Sequence, residues 1–267
     1  MPTLTLHGVP VHVEDTGGSG EPIVFVHGLL FSSRMFEAQM AALAPQFRCV
    51  AIDLPGHGRS GDAPGRSYTI EQAYDDTVAV IEQMGLAPCH FVGLSMGGFV
   101  GLRLAARRRE LLRTLTVLDT SADPEPAANV PRYRRLAFVA RLFGPGAVVS
   151  PVMPILFSRT FLHDATKVEA RERWRRALRA NRRGVVRSVV GVIEREGVAD
   201  LLPGITTPTF VIVGAEDVAT PACHSEKIRD LVPGARLLAV PGAGHSSTVE
   251  QPELVSRAIH DFLTFRR

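Results

Sequence analysis

Cysteine is scarce in this chain of 267 residues: Cys49, Cys89 and Cys223, an odd number, widely spaced and without a C-x-x-C pair. That excludes a disulfide scaffold and a cysteine-built zinc site, and it fits a reducing compartment. No apolar run approaches the roughly 18 residues of a membrane span. The opening MPTLTLHGVPVHVEDTGG alternates apolar and polar residues, without the basic head and greasy stretch of a signal peptide. A cytoplasmic location, with no membrane partner, is therefore expected. Also absent are a P-loop and a G-x-G-x-x-G in the first strand–helix turn, so no cofactor and no metal are expected. No internal repeat or low-complexity tract interrupts the chain. With 45% hydrophobic and 21% charged residues it has material for a sizeable core and is not a disordered protein.

Charge is unevenly placed. Residues 131–196 hold fourteen arginines and one lysine against five acids, a local net of +10, whereas the whole chain carries only +3 and the remainder therefore −7. Such an excess is either the solvated face of helices or a means of steering an anionic small molecule. No aromatic-interleaved basic motif or helix–turn–helix accompanies it, so nucleic acid is not an expected partner.

Short, nearly continuous apolar runs occur at 22–28, 48–53, 90–95, 113–119, 208–214 and 235–242, the pattern of parallel strands covered on both faces. Between them lie amphipathic stretches. Ile70, Tyr74, Val78, Ile81 and Met84 follow helical spacing, with Thr69 placed to cap the start and Gly85 following the end. Leu254, Val255, Ala258, Ile259 and Phe262 repeat that logic near the end of the chain. Alternating strand and helix predicts an α/β fold, with an antiparallel edge hairpin from TLTLHGVPVHVEDTG. The alternation breaks between about Ala122 and Leu202, where a Pro-rich passage leads into helical patterns only. This divides the chain into a core of 1–122 with 203–267 and a helical insertion of 123–202.

Gly93-Leu94-Ser95-Met96-Gly97-Gly98 sits between a strand pattern and a helix pattern, the setting in which G-x-S-x-G gives an exposed serine on a tight turn. A serine hydroxyl is a weak nucleophile and needs a base that is itself held in orientation. His245, in the glycine-rich loop PGAGHSS after the last strand run, is the expected base. His27 and His57 lie in H-G and G-H-G loops that suggest another role, and the remaining histidines fall in edge, insertion or helix contexts. For the orienting acid, Asp217 and Asp119 both follow strand runs and Glu216 adjoins the first. A carboxylate on the strand next to the histidine loop reaches the ring most easily, which favours Asp217. An oxyanion needs preorganised donors; the backbone N–H groups of Met96 and Leu29 are the expected pair.

The motifs VHGLL, DLPGHGRS, GLSMGG, GAEDVATP and GAGHSSTVEQPE together resemble an α/β-hydrolase-fold serine hydrolase over the whole length, and VGLSMGG, ATP and GHSSTVEQPE are similar to the 3-oxoadipate enol-lactonase and carboxylesterase branch. The order Ser95, Asp217, His245 is that of the family. The resemblance implies an eight-stranded, mostly parallel sheet with a helical cap inserted after the strand ending at Asp119. It implies hydrolysis of carboxylic esters or lactones through an acyl-enzyme, because serine rather than aspartate occupies the nucleophile position. Within the insertion, Met153, Ile155, Leu156, Phe157 and Phe161 offer an apolar pocket lining, or else packing of the insertion onto the core; Trp174 either lines the mouth or anchors the cap. Alternative readings are a lactonase for an enol-lactone or acyl-homoserine lactone, a cofactor-free perhydrolase, a carbon–carbon bond hydrolase, and a non-catalytic small-ligand receptor. Nothing in the sequence reports the oligomeric state.

Overall fold

A computed structural model of the chain describes residues 3–264. Its centre is one eight-stranded sheet: β1 (Thr3–Leu6), β2 (Val9–Asp15), β3 (Glu21–Val26), β4 (Phe47–Ile52), β5 (Cys89–Leu94), β6 (Leu112–Leu118), β7 (Thr209–Gly214) and β8 (Arg236–Val240). The strand order is β1-β2-β4-β3-β5-β6-β7-β8. Only β1 with β2 and β2 with β4 pair antiparallel; from β4 to β8 every pair is parallel. The expected edge hairpin is present. Its two turn residues, His7 and Gly8, have φ of 48° and 80°, the double left-handed conformation whose twist suits a two-residue hairpin.

The helices are α1 (Glu37–Leu43), α2 (Ile70–Gln83), α3 (Met96–Arg107), α4 (Val130–Phe143), α5 (Val149–Leu156), α6 (Arg159–His163), α7 (Val168–Arg179), α8 (Val185–Ile193), α9 (Ala222–Leu231), α10 (Ser247–Glu250) and α11 (Pro252–Thr264). Strand side chains alternate between two apolar cores. Val24 and Val26 join α2, α3 and α9 on one face, while Ile23 and Phe25 join α1 and α11 on the other. The inner strands β3 to β7 are thus covered on both sides, which explains why they read as nearly unbroken apolar runs, whereas edge strand β8 is only partly buried despite its apolar sequence.

Local sequence explains the helix ends. Thr69 Oγ1 accepts from the Gln72 N–H at 3.1 Å, and the Gln72 side chain accepts from the Thr69 N–H at 2.9 Å, a reciprocal capping box. Gly85, with φ of 61°, takes the left-handed position after the last turn. In α11 the buried face is Val255, Ile259, Phe262 and Leu263, whereas Leu254 is exposed. Leu254 was expected on the apolar face, but it lies one residue, about 100°, round from Val255. The described residues contain no helix long and apolar enough to cross a membrane.

Between β6 and β7 the chain makes only helices, α4 to α8, over the C-terminal ends of the strands. The two chain crossings that bound this segment are tied together: Val198 N–H donates to Ala122 C=O at 2.7 Å, and the Arg195 side chain donates to Asp123 C=O at 3.1 Å.

Candidate active site

The serine, histidine and aspartates weighed above each stand just beyond the C-terminal end of a neighbouring strand: Ser95 after β5, Asp119 after β6, Asp217 after β7 and His245 after β8. That edge is where open α/β sheets hold their ligands. Ser95 joins β5 directly to α3 with φ of 51° and ψ of −108°. A non-glycine residue held there costs about 1–3 kcal/mol and persists because its surroundings enforce it. The flanking glycines are what make the turn possible. A Cβ on Gly97 would stand 1.9 Å from Val26 C=O, and one on Gly93 would stand 2.3 Å from Gly97 C=O.

Ser95 Oγ is 2.9 Å from His245 Nε2, and His245 Nδ1 is 2.9 Å from Asp217 Oδ2. With a carboxylate at Nδ1 the ring carries its proton there, leaving Nε2 to accept from the serine hydroxyl. Asp217 is buried and saturated. Its Oδ1 accepts from Ala219 N–H at 2.8 Å and Thr220 N–H at 3.0 Å, and its Oδ2 also accepts from Thr220 Oγ1 at 2.8 Å. Burial opposes ionisation of Asp217, but the charge and hydrogen bond of His245 and the Thr220 donors outweigh it and lower its pKa. Burial likewise opposes the His245 imidazolium; the charge and hydrogen bond of Asp217, helped by Asp119 and Glu250, raise its pKa above the usual 6.5.

The other acids weighed for this position are engaged elsewhere. Asp119, fully buried with φ of 47°, accepts from Gly214 N–H at 2.7 Å and from Ser247 Oγ at 2.6 Å. Burial, with the charge of Asp217 adding to it, pushes Asp119 up to about 7. Glu216 accepts from the backbone N–H of Thr160 at 3.0 Å and from its hydroxyl, tying α6 to the β7 end.

Met96 is the first residue of α3, so its N–H is among those a helix leaves without an internal acceptor. The loop carrying Leu29 runs against the serine: a Cβ on Gly28 would lie 3.4 Å from Ser95 Cβ. Two histidines set that loop. His27 Nδ1–H donates to Gly28 C=O at 2.8 Å while Nε2 accepts from Leu54 N–H at 3.0 Å; His57 Nε2 accepts from Leu30 N–H at 3.3 Å. Burial lowers the pKa of both, so they serve as neutral struts. Leu30 is held at φ of 70°.

A cavity of about 130 Å³ opens above Ser95 and His245, with walls mainly of aliphatic side chains from α4, α5 and α8, among them Ala140, Val152 and Val189. Of the insertion residues expected to line a pocket, Ile155 and Leu156 do so. Met153, Phe157, Phe161 and Trp174 instead pack the helical segment onto the core. Phe157 stacks on Phe161 at 5.1 Å, and Phe31 meets Phe157 and Trp174 edge-on. Large aromatic rings reward close-packed contact with one another, and the small branched residues of α8 leave the space. Trp174 borders only clefts outside the cavity.

Sequence reasoning missed three supports. Thr220 follows Asp217 at the spacing of an aspartate-centred turn. Glu250 accepts from Ser158 N–H at 2.8 Å, Gly244 N–H at 3.0 Å and Ser246 N–H at 3.2 Å, bracing the histidine loop on both sides. The wall contributed by VVRSVVGVI carried a helical pattern but no sign of which face meets a cavity.

A family model described as the alpha/beta hydrolase family matches residues 23–258. Among solved structures, a thermophilic esterase from Thermogutta terrifontis, determined with malate bound, is 32% identical with a TM-score of 0.89, covering 98% of this chain and 96% of the other. The enol-lactonase from Burkholderia xenovorans LB400 is 27% identical with a TM-score of 0.91, covering 98% and 100%. A hydrolase from Pseudomonas aeruginosa PA01 is 30% identical with a TM-score of 0.90, covering 98% of each chain.

Proposed function

The chain belongs to the alpha/beta hydrolase family, and from that premise we propose that it is a serine hydrolase cleaving carboxylic esters or lactones through an acyl-enzyme. The observation that carries this reading is the unbroken chain Ser95 Oγ, His245 Nε2, His245 Nδ1, Asp217 Oδ2, with 2.9 Å at each hydrogen bond. In the proposed reaction Ser95 Oγ attacks the substrate carbonyl carbon and its proton passes to His245 Nε2. Asp217 keeps the ring in the required tautomer and stabilises the imidazolium. The N–H groups of Met96 and Leu29 donate to the oxygen that becomes negative. Collapse of the tetrahedral species re-forms the carbonyl and breaks the bond between the acyl carbon and the alkoxy oxygen, and His245 returns the proton to the leaving alkoxide. A water then repeats the sequence on the acyl-serine, giving the carboxylic acid and free Ser95.

In this reading residues 123–202 form a cap on a core of 1–122 and 203–267, consistent with the ties between Ala122 and Val198. The walls of the cavity favour an apolar acyl or alcohol group. The arginine excess of 131–196 contributes one side chain to the cavity, Arg195, and Glu125 neutralises it. Anion steering by the remaining arginines would thus act at the outer surface. The likeness to an enol-lactonase keeps lactones beside open esters as candidate substrates.

Acid release in a pH-stat tests the proposal. Lactones and open esters matched in acyl length should be hydrolysed by the wild type, with a fall of roughly 10⁴–10⁶-fold in Ser95→Ala. Unchanged rates in that variant would overturn it.

A further inference from the structure

Away from Ser95, Thr220 and His245 the cavity lining is apolar apart from Asn181, whose amide donates to Leu30 C=O at 2.8 Å, and one cluster of three polar side chains. Glu125, Tyr133 and Arg195 meet its surface together. The Arg195 and Glu125 side chains are only 3% and 8% exposed, with Nη1 to Oε2 at 2.7 Å. A buried ion pair is weak evidence of a stability role, because desolvating both charges offsets much of their attraction. Its remaining bonds show what is spoken for. Arg195 Nε donates to Asp123 C=O at 3.1 Å and Nη1 also donates to Val192 C=O at 2.9 Å. Glu125 Oε1 accepts from Asn129 Nδ2 at 2.9 Å. Among the described residues, neither Arg195 Nη2 nor the Tyr133 hydroxyl makes a hydrogen bond. Burial raises the Tyr133 pKa, with the Glu125 charge adding to it, so the hydroxyl keeps its proton and remains a donor.

This polar group is linked to the serine through Phe99. The Arg195 guanidinium stacks over Phe99, 4.3 Å from the ring centroid. Phe99 is one helical turn beyond Ser95, its N–H donating to Ser95 C=O at 2.9 Å. The Tyr133–Glu125–Arg195 group is thus set off from Ser95 by the Phe99 ring, which also faces the cavity.

We infer that Glu125, Tyr133 and Arg195 form a distal polar subsite, which selects acyl groups carrying a neutral oxygen substituent, a hydroxyl or ketone, several bonds from the scissile carbonyl. The substituent accepts from Tyr133 Oη or Arg195 Nη2, and a hydroxyl can also donate to Glu125. A plain alkyl end leaves those groups without a partner. A carboxylate is disfavoured as well, since the guanidinium charge is already balanced and Glu125 would face a like charge. The inference rests on the acyl-transfer reading and names its substrate class.

The test is kcat/KM for three series of p-nitrophenyl esters, from hexanoate to dodecanoate, ending in a methyl, a hydroxyl or a carboxylate. At the chain length that spans the gap, the hydroxyl ester should exceed the methyl ester by about 3- to 10-fold, the worth of one net hydrogen bond. The carboxylate ester should fall below both. In Tyr133→Phe the hydroxyl-to-methyl ratio should drop toward one at that length, and Glu125→Gln should narrow the discrimination against carboxylate. A ratio of one or less at every length, or one untouched by Tyr133→Phe, would overturn the inference while Ser95-dependent hydrolysis of the methyl series left the acyl-transfer reading standing. Absence of Ser95-dependent hydrolysis in all three series would overturn that reading itself and the inference with it.

Discussion

The carboxylate of Asp119 accepts a hydrogen bond from the hydroxyl of Ser247 at 2.6 Å, two residues beyond His245, and so grips the histidine loop without touching the ring. Burial, and the charge of Asp217 beside it, push this acid up to about 7, well above the ordinary aspartate range. It therefore binds more protons folded than unfolded, and the folded state loses stability as pH climbs from about 4 through 7. Asn tolerates the left-handed backbone at this position and cannot ionise. The melting temperature of Asp119→Asn relative to wild type should rise between about pH 4 and pH 7. Parallel melting curves across that range would show that Asp119 does not titrate there.

Activity should follow the neutral form of His245. Asp217 raises the His245 pKa, so the acid limb of kcat/KM should fall away at a pH above the usual 6.5. Asp217→Asn removes that charge and reverses the ring's preferred tautomer. It should lower kcat by roughly 10³–10⁴ and move the limb to lower pH. A pH–rate series on wild type and variant decides the matter, and an unmoved limb would count against the assignment.

Packing and lining should separate on mutation. Phe161→Ala opens a hole in the aromatic cluster and should destabilise by about 3–5 kcal/mol, seen in denaturant unfolding, while leaving the acyl-length preference where it was. Val189→Phe narrows the cavity itself, and should shift preference to shorter acyl groups, measured as kcat/KM across an ester series.

Glu250 binds three backbone N–H groups, on both sides of His245 and at Ser158. Glu250→Gln turns an amide N–H₂ toward at least one of those donors. It should cost about 1–3 kcal/mol of stability and reduce kcat more than it changes KM, because it loosens the loop rather than the pocket. Urea unfolding paired with steady-state kinetics reads both effects.

Much of this was legible in the sequence for identifiable reasons. The parallel strands are buried on both faces, so 22–28, 90–95 and 208–214 announced themselves as apolar runs. The tight turn at Ser95 demands glycine at positions 93 and 97, because backbone passes within van der Waals contact of each Cα. That requirement is local, and so it left a local mark. The cavity wall left none. Phe161 and Val189 both occupy helices with apolar faces, and whether such a face meets another ring or an empty space is decided by residues far away in sequence. The distal group of Glu125, Tyr133 and Arg195 is equally non-local, since it joins the two ends of the inserted segment. Leu254 shows the limit of periodicity itself, where a neighbour one step along the helix already points to solvent.

The most direct test is covalent. Wild-type protein mixed with a p-nitrophenyl ester and quenched in acid during turnover should carry the acyl mass on the peptide containing Ser95, and Ser95→Ala should carry none. An acyl mass confined to another peptide, or hydrolysis that proceeds at the wild-type rate in Ser95→Ala without any adduct, would contradict an acyl-enzyme at this serine.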